Sequence, residues 1–140
     1  MSGMTATPTC TVSTPTGPVE LPARLRLVEP LPGLPGTDYT LDPLDELGFL
    51  FALRGEGGVR LFVVSPALVF PDYAPRIGRA ALEAVGDGEY AVLLVVVHPG
   101  SDDRPVPTAD LLAPILVDPT TGHALQTVLD DDLPLRAPLA

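Results

Sequence analysis

With 140 residues the chain has the length of one domain, enough for a single core and little for a second. Apolar residues make up 46% but aromatics only 5%, so the core must come mainly from Leu, Val, Ile and Ala. The formal charge of −10 repels phosphates, which argues against direct DNA or RNA binding; it serves solubility and favours a basic protein as partner.

Residues 1–10 read as a disordered tail and 11–140 as one domain. The Ser/Thr/Pro-rich start lacks the basic and apolar regions of a signal peptide. Cys10 is the single cysteine, so no internal disulfide framework is available, and no neighbour in sequence activates its thiol. The expected compartment is the cytoplasm.

Short strands are expected over Pro18–Leu21 and Arg24–Val28, joined by a turn at Pro22-Ala23. Glu29 to Thr37 is a loop with three prolines, which cannot donate to a sheet. Gly48–Arg54 and Val59–Ser65 form the clearest hairpin, around Gly55-Glu56-Gly57-Gly58. Both strands are apolar on both faces, as in a sandwich or barrel with an outer cover.

Pro75–Val85 is the helix candidate, with Ile77, Ala81 and Val85 on one face and Gly86 as the stop. Tyr90–Val97 reads as a central strand, too short to span a bilayer, and Pro99–Thr108 as a surface loop. Leu111–Val117 and His123–Leu129 form a last hairpin around Asp118-Pro119-Thr120-Thr121-Gly122, with Pro114 breaking the first strand. The predicted core is Phe51, Phe62, Val63, Leu94 and Val96. The fold class is mostly antiparallel β with one short helix.

Catalytic signals are missing from this pattern. His98 and His123 have no second ligand at metal spacing, and no phosphate loop or nucleophile elbow occurs. No enzyme activity, cofactor or metal is expected. Two acidic groups remain, Asp102-Asp103 and Asp130-Asp131-Asp132. Adjacent carboxylates on an extended chain point apart, which argues against a cation cage and leaves a solvated strand end or a patch for a basic partner.

Several segments, in order, resemble the FliW family of flagellar assembly factors. They are Gly17-Pro18-Val19-Glu20-Leu21, Leu31-Pro32-Gly33-Leu34-Pro35-Gly36, Pro66 with Phe70-Pro71-Asp72-Tyr73, Ala109-Asp110-Leu111-Leu112-Ala113-Pro114-Ile115, and Gln126-Thr127-Val128-Leu129 with Arg136. The likeness runs from about Val12 to Leu139. It departs from the family at Thr37 and Leu133, where aromatics are usual, at Ser65, where aspartate is usual, and at Asp110, where asparagine is usual.

The resemblance implies a small barrel-like fold and a non-enzymatic role. Such proteins bind the translational regulator CsrA, relieving its repression of flagellin mRNA, and bind flagellin, which competes. The expected interface residues are Asp130, Asp131 and Asp132, the densest charge in the chain, then Asp72 and Tyr73 beside a matched motif. The alternatives are a barrel that binds a small molecule, or a FliW-like domain serving another regulator.

Overall fold

Alternation of buried and exposed residues builds the first four strands in the computed structural model, which describes residues 8–34, 36–67, 69–86, 91–103, 105–130, 133, 134 and 136–139. The strands are β1 (Thr9–Thr14), β2 (Gly17–Pro22), β3 (Arg24–Leu27), β4 (Asp38–Pro43), β5 (Leu50–Arg54), β6 (Arg60–Val64), β7 (Val92–His98), β8 (Thr108–Ala109), β9 (Ile115–Val117), β10 (His123–Gln126) and β11 (Ala137–Pro138). Among the described residues one α-helix, α1 (Arg79–Val85), lies between β6 and β7, and a single 3-10 turn, Glu56–Gly58, joins β5 to β6.

Seven strands close into a barrel in the order β3-β4-β5-β6-β7-β9-β10. Closure comes from β7, which pairs with both β6 and β9, and from β10, which runs parallel to β3; the other pairings are antiparallel. The interior is filled by Leu25, Leu41, Phe51, Leu53, Leu94 and Ile115 with their neighbours. The β1–β2 hairpin adds Cys10, Val12 and Leu21 to this same core.

The two-faced strands are explained by a second, outer cluster. On β7, Val92 and Leu94 point inward while Val95 and Val97 point outward, as a period of two requires. Val64, Val95 and Val97 pack in one cluster with Phe70, Tyr73, Leu111, Ala137 and Leu139. Strands β8 and β11 extend this cover from the end of β7.

Several sequence expectations are corrected here. Thr9 and Cys10 belong to β1, not to a tail. Cys10 and Val12 alternate with exposed Thr9 and Thr11, a strand pattern disguised by threonine, whose β-branched side chain fits a pleated sheet. The rest of the expected tail, residues 1–7, lies outside the described residues. Pro22-Ala23 does not fold β2 back on β3; β2 pairs with β1, and β3 with β4 and β10. Strand β4 had no counterpart in the sequence reading, although Tyr39 and Leu41 face in and Asp38 and Thr40 face out.

The helix is shorter than its apolar spacing suggested. It starts at Arg79 because Gly78 is extended and gives no side-chain cap, so Ile77 stays outside it. Leu111–Val117 shrinks to Ile115–Val117, because Pro114 has no N–H to offer the ladder. Phe51, Val63 and Leu94 are buried as expected, but Phe62 and Val96 are only partly buried. Phe62 faces outward into the second cluster, with Arg60 over its ring at 5.0 Å.

Candidate functional site

The last two matched motifs form one platform. Asp110 accepts the N–H groups of Leu112 and Ala113, both at 3.1 Å, and so fixes the bend before Pro114. Gln126 donates its side-chain amide to Ala113 O at 3.1 Å. Beyond β10 the backbone keeps pairing without a regular strand: Thr127 N donates to Pro114 O at 3.0 Å and Leu129 N to Leu112 O at 2.8 Å. Proline loses its donor but keeps its acceptor, and Thr127 uses it. The Asp110 carboxylate does what an asparagine carbonyl oxygen would do here, so this departure from the family pattern keeps the lock.

With Thr127 and Leu129 tied down, Val128 is turned out. It is 72% exposed, while Leu129 is buried. A groove of about 420 Å³ runs beside it, between α1 and residues 127–130, lined by Arg76, Ile77, Ala81, Thr127, Val128 and Asp130. An apolar centre with charged residues at its edge has the make-up of a protein-docking patch. Sequence reasoning missed Val128 because it took His123–Leu129 as one strand. The available signal was alternation: if Leu129 faces in, Val128 faces out.

Of the expected interface residues, Asp130 is exposed at the edge of this groove, and Asp131 and Asp132 lie outside the described residues. Asp72 is exposed, but Tyr73 is half-buried. The Tyr73 hydroxyl donates to Leu111 O at 2.6 Å, tying the Phe70–Tyr73 turn to the platform. Burial, and second the Asp110 carboxylate, push Tyr73 up to about 12. Among the described residues no contact brings Asp72 to the Asp130 groove, and Tyr73 is tied to the platform at Leu111 without lining the groove.

Ser65, the other departure, is buried at 2% exposure. Its hydroxyl donates to Ser13 O at 2.5 Å, and Ser13 N in turn donates to Gly48 O at 2.9 Å. An ionised aspartate could not donate to that carbonyl. Cys10 donates its thiol to Leu41 O at 3.0 Å, and burial, followed by Asp42 and Glu20, raises its pKa. A thiol so placed is a packing residue rather than a nucleophile. His98 and His123 are exposed, and among the described residues no group of three or more His, Cys, Asp or Glu side chains could hold a metal. Nor is any helix among them long and apolar enough to cross a membrane.

The family model described as FliW protein matches residues 12–139, which takes in both barrel and platform. The chain belongs to the FliW family. It is 38% identical over 79 residues to the flagellar assembly factor FliW of Symbiobacterium thermophilum, covering 55% of this chain and 57% of that one. To the flagellar assembly factor FliW of Thermotoga neapolitana it is 33% identical over 89 residues, covering 61% and 58%. The chain thus spans less than two thirds of either relative in these matches. A crystal structure of the flagellar assembly factor FliW superposes with a TM-score of 0.72 at 21% identity, over 93% of this chain and 96% of that one. At that identity the likeness establishes the FliW barrel as the shared fold.

Proposed function

We propose that this chain is a non-enzymatic flagellar assembly factor that works by binding proteins in the cytoplasm. It captures a CsrA-type translational regulator and relieves repression of flagellin synthesis; flagellin competes for it and so couples synthesis to secretion. The observation that carries this reading is family membership across almost the whole described domain. Two physical features support it. The barrel interior is filled with apolar side chains, which suits a scaffold better than a small-molecule carrier. The net charge of −10 complements a basic, RNA-binding partner, with Val128 and Asp130 offering an apolar anchor and an acidic edge.

The test is a cell-free translation assay with a flagellin-leader reporter repressed by the cognate CsrA. Adding this chain restores translation, and adding flagellin restores repression. Unchanged repression at excess chain would sink the proposal.

A further inference from the structure

Among the described residues the outer face of the barrel is covered unevenly, with α1 packed on β9 and β10. The second apolar cluster shields β6 and β7, while the outward residues of β3 and β4 and the adjoining ends of β5 and β6 are exposed. All four arginines of the described strands lie here: Arg24, Arg26, Arg54 and Arg60. In a chain with a net charge of −10 that placement is lopsided.

Register brings the arginines together. Arg24 sits opposite Thr40, Thr40 opposite Arg54, and Arg54 opposite Arg60. The neighbouring row runs His123, Arg26, Asp38. Two carboxylates answer four guanidinium groups: Asp38 meets Arg26 at 3.2 Å and Asp42 meets Arg54 at 2.6 Å. Arg24 and Arg60 have no ion-pair partner among the described residues. Like charges directly opposite each other, as at Arg54 and Arg60, oppose folding. A groove of about 520 Å³ follows the face, lined by Arg24, Arg26, Asp38, Thr40, Thr121 and His123.

We propose that this face binds an extended, carboxylate-rich segment of a partner protein. Arg24 and Arg26 are two residues apart on one strand, roughly 6.8 Å in an extended chain. An extended segment with Asp or Glu at alternate positions presents carboxylates at the same interval, and guanidinium groups grip carboxylates through paired hydrogen bonds. A nucleic acid fits less well. Its phosphates extend beyond the patch and meet the negative field of the rest of the molecule within about one Debye length. The face shares no lining residue with the Val128 groove, so this inference does not depend on the CsrA reading.

Fluorescence anisotropy on the full chain tests it, with a capped, labelled peptide alternating Glu and Ser, the Gln-Ser peptide as control, and an oligothymidylate of equal charge. The Glu-Ser peptide binds saturably and the Gln-Ser peptide does not. The double substitution Arg24→Gln and Arg60→Gln weakens binding by at least about tenfold, the factor for losing one charge-assisted hydrogen bond. Because both side chains are exposed and lack ion pairs, the fold survives, as circular dichroism will show. Amide shifts in the wild-type chain on titration fall in β3, β4, β10 and the Arg54–Arg60 turn. Absent binding, binding indifferent to the double substitution, or shifts confined elsewhere overturns the proposal. So does equal affinity for the oligothymidylate, or arginine-dependent self-association on sedimentation, which would make a second copy the occupant.

Discussion

Tyr73 shows how much one hydroxyl can hold. It joins the Phe70–Tyr73 turn to Leu111 O in a half-buried setting, so Tyr73→Phe leaves that carbonyl without its donor. The expected loss is ~1–2 kcal/mol in urea unfolding. The pH dependence has a fixed sign. Folding raises the Tyr73 pKa from 10.0 to about 12, so the unfolded chain ionises first. The contribution is whole below pH 10 and is lost as pH climbs to about 12. Wild type should therefore lose stability across that window more steeply than Tyr73→Phe. Tyr39 and Cys10, also raised, leave the variant some slope of its own. Gly48 is the second sensitive residue. It has φ of 81°, and an added Cβ would lie 2.9 Å from Thr11 O, where the β1–β2 hairpin crosses the barrel. Gly48→Ala should cost ~1–3 kcal/mol, read by the urea midpoint.

Among the elements, β5 and β6 separate inner from outer core. Phe51 is fully buried inside the barrel, so Phe51→Ala should cost ~3–5 kcal/mol as transfer and cavity terms add. Phe62 sits on the outer face, partly exposed beneath Arg60, so Phe62→Ala should cost clearly less than Phe51→Ala. Equal losses in urea unfolding would contradict the two-sided reading of these strands. The hairpin of β5 and β6 was legible in sequence because its strands are apolar and its turn is glycine-rich, with Gly57 at φ of 71°. Strand β1 was not legible, since its outward threonines look like a polar tail until Cys10 and Val12 are seen to alternate with them. Apolar spacing through Ile77 overstates the helix because it says nothing about Gly78, which is extended. Of the candidate site, Asp130 was legible from the Asp130-Asp131-Asp132 run, and it lies exposed at the groove. The exposed Val128 could not, because it depends on long-range backbone bonds from Thr127 and Leu129 that only the folded platform supplies.

On the scale of the whole molecule, charge and shape divide the labour. The FliW barrel is a filled scaffold, and function is left to what its surface presents. The acidic balance should act mainly on association rate. Changing Asp130, Asp131 and Asp132 together to Asn should slow association with the cognate CsrA and flatten its salt dependence, with the fold unchanged. Stopped-flow mixing at low and high salt checks this, and identical rates at low salt would remove these aspartates from the interface.

The most direct test of the central claim, that this chain works by capturing a protein partner, is calorimetry with purified cognate CsrA. A saturable complex is expected, and Val128→Ser weakens it by about tenfold, as loss of an exposed apolar anchor should. No heat and no co-elution from a folded chain and a folded CsrA would contradict it.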